Sequence, residues 1–167
     1  ACPSQSTRDA TTALDGSRLL TRELRAAIRA EFSDLRPRDL DTAALLGSGE
    51  SADAVRVGGW VVRIPHGRLH AADLDSEVRL LQLLERRAVP ASPRGARLLR
   101  ATGGAPAMAY RYVEGMPSRG VPLRGAARER FAAGLGAFLG ALHAVPVREA
   151  RATVLPAGDY WNTVHLP

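Results

Sequence analysis

Between Ala54 and Ile64 the chain reads AVRVGGWVVRI, two runs rich in β-branched residues on either side of Gly58-Gly59. A Gly-Gly step between two such runs turns the chain straight back on itself as a β-hairpin. That hairpin commits this part of the molecule to an antiparallel sheet, and the flanking segments extend it. Residues 42–64 are strand-like throughout, with Leu45 and Leu46 ahead of a small polar loop, Gly47 to Ala52. Pro65 ends the run. After the helix ADLDSEVRLLQLLERR and the loop VPASPRG, ARLLRAT and AMAYRYVEG read as two further strands, with GGAP turning the chain between them.

Three helices complete the pattern. SRLLTRELRAAIRAEF sets Leu20, Leu24, Ile28 and Phe32 four apart, with Pro37 beyond it as a stop. In ADLDSEVRLLQLLERR the helical repeat falls on Leu74, Val78, Leu81 and Leu84 or Glu85. AARERFAAGLGAFLGALHAV carries Phe131, Leu135, Phe138 and Leu142 on one stripe, which needs further protein to cover it. The tail from Pro146 shows turn residues and no strong period.

The expected fold is α+β: a five-stranded antiparallel sheet with one helix inserted after its third strand, not the βαβ alternation of a doubly wound fold. Residues 1–16 read as a flexible N-terminus, 17–113 as the sheet-containing unit with its leading helix, and 114–167 as a linker and a helical segment.

Composition narrows the function classes. With 46% apolar and 24% charged residues, the 167-residue chain is expected to be globular. No apolar run approaches the roughly 20 residues of a membrane-spanning helix, and the N-terminus lacks the apolar core of a secretory signal, so no membrane partner is expected. The lone Cys2 has no internal disulfide partner, which fits a reducing cytoplasm. All 23 basic residues are arginine and the net charge is +6, but they are interspersed with Asp and Glu, and aromatics make up only 5%. That is a solvated surface rather than a nucleic-acid footprint, and no nucleic-acid partner is expected.

The loop Gly47, Ser48, Gly49, Glu50, Ser51, Ala52 would let backbone N–H groups approach a polyanion. Its own residues also suit a plain hairpin corner. It is not a P-loop, because no Gly-Lys-Ser/Thr follows and a strand takes the place of the helix. Arg63 lies inside WVVRI on the face of Val61, where a cation needs an anion or an exit to solvent. Glu77 lies on the apolar stripe of its helix, where an acid is out of place. Pairing the two resolves both anomalies; an edge-strand arginine in solvent and a glutamate at the stripe's margin is the alternative. His66, His70 and Asp73 have spacings compatible with a metal, but no helix carries all three and no metal site is assigned. His143 reads as a capping or packing residue. Ser51 reads either as a phosphate donor or as an exposed loop serine.

This order of elements, with the segments LLGSGESADAVRV, WVVRIPHG, SEVRLLQLLERRAVPASP, AYRYVEGMP and LGAFLGALHAVP, resembles the N-terminal lobe of kinase-like phosphotransferases. It is most similar to the aminoglycoside phosphotransferase family, over residues 36–147. The resemblance implies that Arg63 contacts the α/β-phosphates of a nucleotide and that Glu77 holds it in place. It implies that Gly47, Ser48, Gly49 and Ser51 cover the phosphates. Backbone groups of Arg111 and Val113 would take the adenine edge, with Tyr110 at the back of the pocket and Val55 and Val61 sandwiching the base. The implied cofactor is ATP or GTP with Mg2+, and the implied reaction moves the γ-phosphate to a hydroxyl of a small molecule. Aminoglycoside, macrolide and metabolite acceptors are not separated.

Two departures accompany the resemblance. Arg63 stands where lysine is usual, exchanging a point-charge ammonium for a planar fork. The family's catalytic His-Gly-Asp segment, its metal-binding Asn and a later Asp also have no match: GDYWNTVHLP holds Asp159 and Asn162 three apart with no preceding His. No catalytic residue and no metal ligand is therefore assigned, and a small-molecule acceptor is expected only with a complete C-terminal lobe. The expected product is the ATP-binding portion of a phosphotransferase with the helical start of a truncated C-lobe. It would be a fragment, a truncated gene product or a stand-alone module. A non-catalytic module that docks a partner through its exposed helical face is the reading from another class.

Overall fold

The Gly58-Gly59 hairpin forms the middle of the sheet. The computed structural model describes residues 14–67, 74–115 and 122–153. Strand β3 (Ala52–Val57) runs antiparallel to β4 (Trp60–Pro65), from Val57 opposite Trp60 to Ala52 opposite Pro65. Gly58 takes φ +55° in the turn, a conformation costly for any residue with a Cβ. On one side β2 (Ala44–Ser48) pairs with β3, with a register shift between Leu45 and Gly47. On the other side β6 (Ala107–Arg111) pairs with β4, and β5 (Arg97–Leu99) closes that edge. These are the five antiparallel strands expected, with helix α3 (Leu74–Arg86) inserted after the third.

A sixth strand, β1 (Leu14–Asp15), pairs with β2 and gives the order β1-β2-β3-β4-β6-β5. Strand β1 falls within the segment read as a flexible N-terminus, of which residues 1–13 lie outside the described residues. Two residues carry no readable period, so only tertiary pairing reveals them. Gly16, which opens the 3-10 turn Gly16–Leu19, shows why no larger residue fits. A Cβ there would sit 2.7 Å from the Leu45 nitrogen and 2.8 Å from the Ala44 carbonyl carbon. Gly16→Ala is therefore expected to cost about 1–3 kcal/mol by overpacking. Gly134→Ala, in open space on a helix, is expected to add up to about 1 kcal/mol instead. Chemical denaturation of the two variants checks both signs.

The sheet separates two apolar clusters. Val55, Val57, Trp60, Val62, Ala107 and Ala109 face helix α1 (Arg22–Glu31), whose Leu24 and Ile28 meet them along with Leu20, Phe32 and Leu40. The four-apart stripe is buried throughout, and Thr21 caps the helix by accepting the Leu24 N–H at 3.2 Å. Pro37 does not stop this helix, which already ends at Glu31. It instead opens α2 (Pro37–Asp41), where the missing N–H of proline costs nothing. On the opposite face Leu98, Met108 and Tyr110 pack with Leu74, Val78 and Leu81 of α3. Leu83 and Leu84 are buried as well, while Glu85 turns away to accept the Gly95 N–H at 2.9 Å.

Helix α4 (Gly125–His143) leaves Phe131 and Leu135 of the expected stripe exposed, together with Leu139, while Phe138 and Leu142 are half-buried. The tail contains a helix that its composition did not announce, α5 (Val147–Thr153), tied to the end of α3 by the Arg87–Glu149 ion pair. The segment holding Asp159 and Asn162 lies outside the described residues, as do His70 and Asp73.

Candidate functional site

Arg63 sits in the middle of β4, opposite Ala54 on β3 and Met108 on β6. Strand alternation puts it with Val61, Met108 and Tyr110 on the α3 side of the sheet. Glu77 lies in the first turn of α3, where the helix dipole favours a carboxylate. The guanidinium Nη1 donates to Glu77 Oε1 and lies 3.9 Å from the Met108 sulfur. The two anomalies of the sequence are therefore one ion pair, and neither residue is a solvent-facing edge charge: the side chains are 28% and 37% exposed. A guanidinium has five N–H donors, and Glu77 engages it through Nη1. The rest of the fork remains for an anion.

Tyr110 borders this pair. Burial raises its phenol pKa, the charge of Arg63 lowers it and that of Glu77 raises it again, for a net upward shift that keeps the hydroxyl neutral and able to donate. Val61 is buried beside it, opposite Tyr110 in the register.

The loop between β2 and β3 is held from within. The Gly49 N–H donates to the Ala52 carbonyl at 2.9 Å, and the Ser48 hydroxyl donates to Asp53 Oδ1 at 2.5 Å. A Cβ on Gly47 would meet nothing within 4 Å, and one on Gly49 would meet only the Ala52 oxygen at an ordinary 3.5 Å. Neither glycine has the positive φ that excludes other residues. Internal packing and backbone conformation therefore do not require glycine at these positions. Both backbones are open to approach from outside the chain. Ser51 contributes its carbonyl, which accepts the His66 N–H at 2.8 Å.

At the end of β6 the expected base-edge contacts are narrowed. The Arg111 N–H is given to the Arg94 carbonyl at 2.8 Å, and the Tyr112 N–H to Gly59 at 2.9 Å. Arg111 can thus serve a base only through its carbonyl oxygen. Its side chain turns to the far side of the sheet, with the guanidinium carbon 3.9 Å above the Trp60 ring and Nη1 3.0 Å from Asp34. Val113 follows, 59% exposed.

One expected contact is overturned. Val55 is fully buried in the α1-side cluster, opposite Val62, so it cannot sandwich a base with Val61. The β3 residue on the Arg63 face is Ala54. Sequence reading misses Asp53 and weighs His66 only as a metal ligand with His70 and Asp73. Asp53 Oδ2 lies 3.1 Å from His66 Nε2, and the Glu50 carbonyl lies 3.3 Å from His66 Nδ1. The pairing of Ala52 with Pro65 carries the signal for them, because it sets His66 beside Ser51.

Comparison with known proteins follows this geometry. A family model described as the phosphotransferase enzyme family matches residues 42–160. Among solved structures, the GDP complex of wild-type aminoglycoside 2'-phosphotransferase-IIIa is 28% identical with a TM-score of 0.65, covering 86% of this chain and 49% of that one. The GDP and kanamycin complex of APH(2")-IIia is 29% identical with a TM-score of 0.66, covering 83% of this chain and 47% of that one. The chain spans about half the length of the solved relatives it matches. No curated protein matches it.

Proposed function

The chain belongs to the phosphotransferase enzyme family, and from that premise we propose that it is the nucleotide-binding portion of a small-molecule phosphotransferase. The observation that carries this reading is the Arg63–Glu77 pair on the face of the sheet that ends in the glycine loop. A carboxylate that holds a guanidinium by one nitrogen fixes its direction while leaving donors for phosphate oxygens. The two glycines of the loop leave room for a ligand to approach the backbone. In this reading Arg63 neutralises the α/β-phosphates, backbone N–H groups of Gly47 to Ala52 cover them, and Ala54, Val61 and Tyr110 line the base side.

The parent reaction is transfer of the γ-phosphate to an acceptor hydroxyl, catalysed chiefly by positioning and charge stabilisation. No group of three or more His, Cys, Asp or Glu side chains able to hold a metal ion occurs among the described residues. In this reading the part of the described residues in the reaction is to bind and orient the nucleotide. The solved relatives hold GDP, and one of them holds kanamycin. A guanine nucleotide and an aminoglycoside are thus the first cofactor and acceptor to test, alongside ATP.

The test is calorimetric titration of the 167-residue chain with Mg-ATP, Mg-GTP and GDP. Saturable heat with at least one nucleotide is expected. A folded chain that gives none with all three overturns the proposal. The exposed Phe131, Leu135 and Leu139 of α4 favour a second reading, a module that docks a protein partner. That reading gains if the chain runs as a stable monomer and binds no nucleotide.

A further inference from the structure

Both ring nitrogens of His66 face hydrogen-bond acceptors. Nδ1 lies 3.3 Å from the Glu50 carbonyl oxygen, and Nε2 lies 3.1 Å from Asp53 Oδ2. Asp53 is itself fixed by the Ser48 hydroxyl on its other oxygen. A neutral imidazole has one N–H and can satisfy one of these two acceptors; the imidazolium has two and satisfies both. The arrangement is therefore complementary to the protonated ring. The backbone N–H of His66 adds a third tie, to the Ser51 carbonyl at 2.8 Å. Through these bonds one residue just past β4 holds Glu50 and Ser51 directly, and Ser48 by way of Asp53.

We infer that His66 and Asp53 are positioning residues, a protonation-dependent clamp that holds the Gly47–Ala52 loop in place over the phosphates of a bound nucleotide. The inference rests on the nucleotide reading above for its purpose, but not for its geometry. Neither residue needs to touch the ligand; both act through the loop backbone.

Among the described residues, the groups facing the imidazole are the Asp53 carboxylate from β3 and the Glu50 and Ser51 carbonyls from the loop. The Ser48 hydroxyl from β2 stands behind Asp53. The directions of titration agree with the geometry. The hydrogen bond to Asp53 raises the His66 pKa, and the Glu50 carbonyl adds to it. The Ser48 hydroxyl, opposed in part by burial, lowers that of Asp53, with His66 contributing further. A raised histidine contributes its stabilisation at low pH and loses it as pH climbs through the folded pKa. A lowered aspartate contributes at high pH and loses it as pH falls through its own. The clamp is thus complete from below the ordinary carboxylate range to above the ordinary histidine value of about 6.5, and it opens on the alkaline side.

The test joins an NMR titration of the His66 ring and the 48–52 amides with nucleotide titrations across pH 5.5–9. It uses the wild type, Asp53→Asn, His66→Gln and Arg63→Ala. The ring is expected to titrate above an ordinary histidine, the loop amides to shift with the same midpoint, and Asp53→Asn to lower that midpoint. Wild-type affinity is expected to fall about two- to tenfold as the ring loses its proton, the loss of one modest hydrogen bond. His66→Gln carries the nucleotide's own phosphate titration and nothing more, so the difference between the two profiles belongs to the clamp. Loop amides that ignore the ring's titration, or a midpoint unmoved in Asp53→Asn, overturn the clamp. Affinity that depends on Arg63 yet follows the His66→Gln profile overturns its positioning role and leaves the nucleotide reading standing. A clamp that titrates as described in a chain binding no nucleotide at any pH overturns the nucleotide reading, and with it the purpose assigned here.

Discussion

Arg63→Ala is expected to weaken nucleotide binding by about ten- to a hundredfold while barely moving the thermal midpoint. The first number follows from losing charge-assisted hydrogen bonds to phosphate, each worth about 1.5–3 kcal/mol. The second follows from exposure: with side chains 28% and 37% exposed, the pair is hydrated enough that Glu77 can be solvated once its partner is gone. Glu77→Ala keeps the cation but frees its direction, and its expected loss is only a few-fold. Because Glu77 acts through Arg63, the double variant is expected to bind no worse than Arg63→Ala alone, a non-additivity that a double-mutant cycle measures. Arg63→Lys tests the chemistry of the cation. It keeps the charge but shortens the side chain and removes the fork, so it is expected to fall between wild type and alanine. Calorimetry on the four variants and the wild type decides. If Arg63→Ala binds nucleotide as the wild type does, the pair is a structural tie between β4 and α3, and the phosphates lie elsewhere.

That pair was legible because it breaks local rules twice, with a cation in a strand interior and an acid on an apolar helix stripe. Each violation alone has a bland explanation, and their coincidence 14 residues apart has one physical resolution. The hairpin and the two long helices that face the sheet were legible for the opposite reason, since turn chemistry and periodicity agree there. Where one signal stood alone, the reading slipped. Pro37 beyond a helical stripe reads as a stop, but proline also opens helices, and α2 begins on it. The resemblance alone puts Val55 beside the base. Counting out from Gly58-Gly59 sets Val55 opposite Val62 and Ala54 opposite Arg63, so the correct face was available from the register. The two residues of β1 were too few to show any pattern. The His66 clamp lay beyond sequence reading for another reason. Strand pairing brings His66 next to Ser51, but only the path of the loop aims one ring nitrogen at Glu50 and the other at Asp53. The Asp34–Arg111 contact joins residues 77 apart, and nothing local announces it.

Trp60→Ala is expected to be the most destabilising single truncation of the sheet, at about 3–5 kcal/mol. For a chain of this size that lowers the thermal midpoint by roughly 6–20 °C. Trp60 is 5% exposed and ties β4 to the end of α1, to β6 and to the loop before β5. Its ring centroid is 3.9 Å from that of Phe32 at the end of α1, and Nε1 donates to Asp34 at 3.4 Å. The Arg111 guanidinium covers its outer face, and the loop before β5 passes so close that a Cβ on Gly95 would lie 3.4 Å from the ring. Gly95 has φ +65°, so the turn that brings it there also disfavours any other residue. Trp60→Phe retains a ring against Phe32 but loses the Asp34 bond and part of the ring's volume, so it is expected to cost less than Trp60→Ala. Arg111→Ala removes a half-exposed cation, with an expected cost of at most about 1 kcal/mol. Urea denaturation separates these cases. If Arg111→Ala costs as much as Trp60→Ala, the cation and its Asp34 partner hold this corner rather than the buried ring. Trp60 faces away from Arg63 across the sheet, so Trp60→Phe is expected to leave nucleotide affinity unchanged. A loss of affinity there would mean that the two faces of β4 are mechanically coupled.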